Sequence, residues 1–221
     1  MTSGLRERRK QETRQAISDI ATEMFAARGF DAVTISQVAD AAGVAKMTVT
    51  NYFPRKEDLV FDRAESIVRS LAGVVAARAP GESMLAAIRR DYATRIARAD
   101  VTLGLSTPAF ARMIEASPVL AARGREMLDQ TERALGDAIA AETGVDDVQQ
   151  RVVAALLASV HRVLYAEGSR RSLAGQRRDH ICTVLAAAAS RAFGLLEPSL
   201  GGYGVASERM AARSEGAASP A

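Results

Sequence analysis

The feature that most constrains the fold is a set of helix start and stop signals crowded into residues 29–54. Thr34 is followed three positions later by Gln37, the spacing of a capping box that satisfies two free amides at a helix start. Gly43 permits a tight turn, and Pro54 disfavours helical geometry at the residue before it. The signals predict two short helices, over about residues 34–42 and 46–51, joined by a four-residue turn.

A longer helix is predicted just before this pair. Its apolar residues recur at helical spacing, and Gly29 then supplies a left-handed closing residue. They are Ile17, Ile20, Ala21, Met24 and Phe25. The three helices together indicate a small N-terminal domain, for which we expect the bounds 1–56.

Helical periodicity continues beyond residue 56, and β-branched residues never alternate over a strand-length window. Helices are predicted near 57–78, 83–100, 107–116, 118–142, 146–168 and 175–196. We therefore expect an all-α protein, with an N-terminal three-helix domain that contains a helix-turn-helix over 1–56 and a larger C-terminal helical domain over 57–197. From Pro198 to Ala221 the chain is mostly Gly, Ser, Ala and Pro, which predicts a disordered tail over 198–221.

Composition argues against several classes of protein. No apolar run approaches the roughly 20 residues of a membrane span, and the first ten residues lack the apolar stretch of a secretory signal. A single cysteine, Cys182, excludes an internal disulfide and a cysteine zinc cluster. With two histidines, no phosphate-binding glycine loop outside the tail and no nucleophile elbow, we expect a soluble cytoplasmic non-enzyme without cofactor or metal.

Charge is concentrated at the N-terminus, although the net charge is only +3. Residues 6–14 contain five cations against two anions. This segment is either the start of a contact with a DNA backbone or simply a solvated helix start.

The second short helix has an outward face that suits DNA. Val49 and Phe53 are four residues apart and are predicted to point into the domain core. The outward or flanking residues are Lys46, Met47, Thr48, Thr50 and Asn51. Such side chains can reach base edges and thymine methyl groups in a major groove; the alternative is an ordinary solvated face.

These motifs resemble the TetR family of repressors over about 45 residues. The resemblance rests on Thr34-Ile35, Val38-Ala39, Ala42-Gly43-Val44 and the run from Tyr52 through Pro54 to Leu59. It implies that Lys46, Met47, Thr48 and Asn51 read bases with Thr50 among them, and that Thr34, Tyr52 and Lys56 hold phosphates.

The sequence departs from the family pattern at three positions. Ala45 stands where a capping serine is usual, Met47 where glycine is common, and Thr50 where tyrosine is common. The missing cap is expected to cost the second short helix about 1 kcal/mol. The replaced tyrosine leaves the contact of residue 50 with DNA open.

One such reading unit contacts few base pairs, so specific binding needs two units about 34 to 36 Å apart. We therefore predict a homodimer on a palindromic operator. The last two helices are apolar nearly all round and are predicted to form a four-helix interface, as in TetR-family dimers, or alternatively an intrachain core. The predicted interface residues are Leu156, Val160, Leu164, Ile181, Leu185 and Ala188.

The middle helices carry bulky or flexible apolar groups that either line a ligand cavity or pack as core. The candidate ligand contacts are Tyr92, Ile96, Phe110, Met113, Met127, His161 and Tyr165. His161 is either a structural histidine with a buried partner or a ligand contact. The stretch from Pro108 to Arg123 is similar to a TetR branch with acyl-CoA-like ligand domains, which implies a largely apolar effector.

The expected function is therefore a DNA-binding repressor that a small molecule releases from its operator. The alternatives are an activator or a DNA-binding regulator that ignores small molecules.

Overall fold

The computed structural model describes residues 2–144 and 147–205, and α-helices account for most of that part. Ten α-helices lie within it: α1 Thr2–Arg28, α2 Ile35–Ala41, α3 Lys46–Tyr52, α4 Ala64–Val68, α5 Ser70–Ala76, α6 Met84–Ala97, α7 Pro108–Ala116, α8 Pro118–Thr143, α9 Val148–Leu173 and α10 Arg178–Leu200. Short 3-10 turns cover Lys56–Leu59 and Val101–Leu103. The predicted all-α fold class is confirmed.

Local signals place α2 and α3 as the sequence predicts. The Thr34 hydroxyl accepts from the Gln37 amide at 3.2 Å, and Gln37 Oε1 accepts from the Thr34 amide at 2.9 Å. Gly43 adopts φ +65°, a left-handed conformation that L side chains rarely adopt. The helix-turn-helix therefore follows from caps and a glycine turn that are close together in sequence.

The chain divides into two compact units whose bounds differ from those predicted. Of the described residues, the first unit comprises those up to Glu65 together with Ala109–Arg125, and the second comprises Ser66–Pro108 together with those from Glu126 onward. Leu120 of α8 is fully buried in the core that α1, α2 and α3 build. Its burial explains why α7 and the first turns of α8 belong with the helix-turn-helix.

The predicted helix over 57–78 is three shorter pieces, the 3-10 turn, α4 and α5. The backbone between Leu59 and Ala64 is not helical. There the Asp62 carbonyl accepts from the Arg14 guanidinium at 2.8 Å. The Asp62 carbonyl thus accepts a hydrogen bond from Arg14, 48 residues away in sequence, where a continuous helix would have a backbone amide as the donor.

The second unit contains a buried ion pair. Arg78 donates to Glu142 and to the carbonyl of Gly204, and its side chain is 1% exposed. Helix α10 also continues through Pro198 to Leu200, beyond the predicted start of the tail. Residues 198–205 are thus part of this unit, whereas the rest of the predicted tail, 206–221, lies outside the described residues.

Among the described residues, α10 alone is long and apolar enough to cross a membrane by length and composition. Five of its 23 residues are alanines, which contribute to its mean hydropathy of 1.3. Ile181, Leu185 and Phe193 are buried in the core of the second unit, while 22% of the apolar window of α10 is buried within the described chain.

Candidate nucleic-acid interface

Helix α3 lies with one face in the core of the first unit. Val49 and Phe53 are completely buried, which confirms the predicted inward side. Ala45 precedes the helix with extended backbone and gives no side-chain cap, as its sequence position predicts. The orientation of α3 therefore depends on its apolar contacts and on contacts at its far end.

The opposite side of α3 brings the predicted base-reading residues together. Lys46 and Asn51 are exposed, Met47 is 69% exposed, and Thr48 and Thr50 are half-buried. A single exposed apolar side chain such as Met47 is common on protein surfaces, so Met47 counts here only as part of this face. The face combines a cation, an amide and a thioether within two helical turns.

Two threonines already make internal contacts. The Thr50 hydroxyl donates to the Met47 carbonyl at 3.1 Å, which leaves its methyl group as the part suited to a thymine methyl. The Thr34 hydroxyl accepts in the capping box and keeps its own hydrogen for donation, the role predicted for a phosphate contact.

Lys56 was predicted to hold a phosphate, and the structure directs it inward. Its ammonium donates to the Phe30 carbonyl at 2.6 Å and lies 4.1 Å from the Phe30 ring centroid. Burial lowers the pKa of Lys56, while Asp31 and Glu57 oppose that shift. The contact uses one of three ammonium donors, so a phosphate contact stays a prediction.

Sequence reasoning missed the role of Arg14, which it grouped with the N-terminal cations. The guanidinium donates to the Tyr52 carbonyl at 2.7 Å and to the Asp62 carbonyl at 2.8 Å. It also lies 4.4 Å from the centroid of the Phe53 ring. The only sequence signal was its position one turn before the apolar face of α1.

A second missed contact joins α8 to the end of the helix-turn-helix. Asp58 Oδ1 accepts from Arg123 at 3.1 to 3.2 Å, and Oδ2 accepts from the Arg55 amide at 3.2 Å. Both side chains of the ion pair are largely buried. Asp58 thereby organises the 3-10 turn and ties it to the part of α8 that belongs to the first unit.

The seven candidate ligand contacts are distributed over both units. Phe110 and Met113 pack against the core of the first unit. The other five belong to the second unit: Tyr92, Ile96, Met127, His161 and Tyr165. Periodicity showed that these helices carry apolar faces but not which core each face joins.

Tyr92 and His161 form a buried hydrogen-bonded pair in the second unit. The Tyr92 hydroxyl contacts Nδ1 of His161, and the Tyr165 ring centroid lies 6.4 Å from the imidazole. Burial lowers the pKa of His161 to about 4, with a further contribution from Arg95. Burial also raises the pKa of Tyr92, so both the phenol and the imidazole are neutral at pH 7.

The structure corrects most of the predicted dimer interface. Val160, Leu164, Ile181 and Leu185 are at most 6% exposed within a single chain, so they form intrachain core instead. Leu156 is 37% exposed, and Ala188 is half-buried. Both helices are apolar on several sides, and the sequence pattern alone did not show which side faces inward.

No group of three or more His, Cys, Asp or Glu suited to a metal ion occurs within residues 2–144 and 147–205.

Comparison with known proteins supports the helix-turn-helix. Residues 17–62 match the family of bacterial regulatory proteins named tetR. The chain is 30% identical over 172 residues to the HTH-type transcriptional regulator TcmR of Streptomyces glaucescens, covering 74% of this chain and 76% of TcmR. It is also 30% identical over 95 residues to the HTH-type transcriptional regulator AcrR of Shigella flexneri, covering 42% and 43% of the two chains.

Among solved structures, Salmonella enterica GusR is similar in fold. The TM-score is 0.51 at 18% identity, and the match covers 86% of this chain and 96% of GusR. The family match spans α2, α3 and the 3-10 turn, and the similarity to TcmR extends over most of the chain. The chain therefore belongs to the TetR family and is a helix-turn-helix transcriptional regulator.

Proposed function

We propose that this protein is a homodimeric repressor that binds a palindromic operator through α3 and leaves it when a small, largely apolar molecule binds. The observation that carries the DNA-binding part is the outward face of α3, where Lys46, Met47 and Asn51 are exposed. Lysine can donate to guanine and asparagine can pair with adenine. Thr34 and Tyr52 are proposed to hold phosphates beside them.

The dimer is proposed to form on the outer face of α9. Val148, Val152, Leu156 and Val163 recur at helical spacing on this face, and they are 71%, 50%, 37% and 63% exposed. On α10, Val184, Ala188 and Leu195 share one face, and Leu195 is 82% exposed. Exposed apolar stripes of this kind mark surfaces that another chain covers.

The second unit is proposed to bind the effector near the Tyr92 and His161 pair, with Tyr165 and Ile96 as further candidates. Two aromatic rings and a neutral imidazole suit an apolar ligand with a few polar groups. The matched relatives are named as transcriptional regulators, and we propose no catalytic activity. We propose that the protein acts in the cytoplasm, because its proposed partner is DNA.

Selection of duplexes from a random library by the full-length protein tests DNA recognition. We expect an enriched palindrome with half-sites about 34 to 36 Å apart. Asn51→Ala should weaken binding to it by roughly 10- to 100-fold, the value of one good base contact. Thr22→Ala, at an exposed position of α1, is the matched control and should bind like the wild type. No enrichment at physiological salt would refute the proposal.

Effector release is tested by titrating acyl-CoA thioesters of increasing chain length against the selected duplex in a gel-shift assay. Coupling of about 1 to 3 kcal/mol would weaken DNA binding 5- to 150-fold. If no thioester weakens binding, the acyl effector is refuted, and the regulator is better described as ligand-independent or responsive to another chemistry.

A further inference from the structure

The C-terminal end of α3 is held by a side chain from another helix. The last carbonyls of a helix lack intrahelical donors, and here Pro54 follows closely and has no amide hydrogen to offer. Arg14 Nη1 donates to the carbonyl of Tyr52, the last residue of α3, at 2.7 Å. A cation at this end also interacts favourably with the helix dipole.

The same guanidinium reaches the segment that leaves the helix-turn-helix. Nη2 of Arg14 donates to the Asp62 carbonyl at 2.8 Å. One turn further along α1, the Ser18 hydroxyl donates to the Leu59 carbonyl at 3.2 Å. Helix α1 therefore presents two donors, four residues apart, to the backbone between residues 52 and 62.

The hydrogen bonds of residue 14 suit an arginine side chain better than a lysine. Two nitrogens of one planar group donate to two carbonyls, and the Cζ atom of Arg14 lies 4.4 Å from the centroid of the buried Phe53 ring. Lysine is a compact point charge on a flexible stem and does not reproduce a planar fork. The charge of Arg14 is thus engaged by backbone oxygens and an aromatic ring.

We propose that Arg14 is a positioning residue for DNA recognition, which sets the direction of α3 without itself contacting phosphate. This rests on the proposed DNA-binding function. Arg14 thereby differs from the exposed N-terminal cations with which its sequence position groups it, such as Arg9.

Salt dependence separates the two roles. Removing a cation that contacts phosphate makes the slope of log affinity against log salt less steep by about 0.9. We expect Arg14→Gln and Arg14→Lys to leave this slope unchanged and to lower affinity for the selected duplex by roughly 10-fold or more, since both lose hydrogen bonds of a charged donor. Affinity for random duplex should stay within about 2-fold, because non-specific binding depends on phosphate contacts. Arg9→Gln is the control for an exposed cation.

If Arg14 only stabilised the fold, its substitution would lower the melting temperature. The ratio of specific to non-specific affinity of the folded protein would then be unchanged. Full affinity of Arg14→Lys, or a slope reduced by Arg14→Gln, would overturn the proposal in favour of a phosphate contact.

Hydrogen exchange in the absence of DNA tests the positioning role separately from the proposed function. A wild-type protein without DNA preference would refute the proposed function, but it would leave this test of Arg14 valid. The Phe53 amide, which donates to the Val49 carbonyl at 2.8 Å, reports on the last turn of α3. We expect it to exchange roughly 10-fold faster in Arg14→Lys, the effect of losing a charged hydrogen bond. The Val38 amide in α2 is the internal control. Unchanged protection of Phe53 would overturn the inference.

Discussion

Tyr92 and His161 are hydrogen-bonded to each other in the interior of the second unit, 69 residues apart in sequence. They are 1% and 2% exposed. A neutral imidazole carries one hydrogen on its two nitrogens, and either tautomer can form this hydrogen bond with the phenol, which both donates and accepts. The buried histidine therefore has the partner that its burial requires.

This pair predicts a loss of stability at low pH. Burial lowers the pKa of His161 from 6.5 to about 4, so between these values the unfolded chain binds the proton more readily than the folded one. The free energy of unfolding should fall as pH drops through this window, by up to about 1.4 kcal/mol per pH unit for one proton. Denaturant unfolding of His161→Gln should lack this component. His180→Gln, at an exposed histidine, should keep it, and equal pH slopes for wild type and His161→Gln would contradict the assignment.

The buried pair of Arg78 and Glu142 predicts a large cost when one partner is removed. The two side chains are 1% and 11% exposed, so Glu142→Gln leaves a buried guanidinium without its counter-charge. We expect a loss of about 3 to 5 kcal/mol in the free energy of unfolding. The matched control is Glu197→Gln, which breaks the Arg89 pair at 45% and 47% exposure, and exposed pairs contribute about 0 to 1 kcal/mol. Equal losses in urea unfolding would disprove the distinction.

The uncapped start of α3 predicts a stabilising substitution. Ala45 has the extended backbone of a capping residue but no side-chain oxygen. Ala45→Ser should raise the free energy of unfolding by about 1 kcal/mol, measured by thermal and urea unfolding. Ala16→Ser, at an exposed interior position of α1, should instead lower it by a few tenths of a kcal/mol. A destabilised Ala45→Ser would show that the hydroxyl is not accommodated there.

The exposed apolar face of α9 predicts where an introduced charge should prevent dimerisation. Val163 is 63% exposed, and Val163→Glu should produce a monomer in sedimentation because a carboxylate would be buried without a partner. Val101→Glu introduces the same charge at a residue that is 50% exposed and lies off α9; this control should remain dimeric. A dimeric Val163→Glu protein would place the interface elsewhere.

The sequence by itself determined the parts of this protein that depend on neighbours along the chain. The Thr34 capping box, the Gly43 turn and the stop before Pro54 define α2 and α3, and helical spacing shows that Val49 and Phe53 face inward. The same spacing identifies the exposed face of α3. These features were predictable because caps, turns and helical faces are properties of a few consecutive residues.

Only the tertiary structure decided which apolar face meets which core and where the long cations point. Periodicity marks α9 as apolar on two sides but cannot show that Val160 and Leu164 are the buried ones. Arg14 and Lys56 contact carbonyls 38 and 26 residues away, and their long flexible stems can reach either a phosphate or the backbone. Their contacts depend on how distant segments pack, because the position of a long cation in the sequence is compatible with a phosphate contact and with a backbone contact.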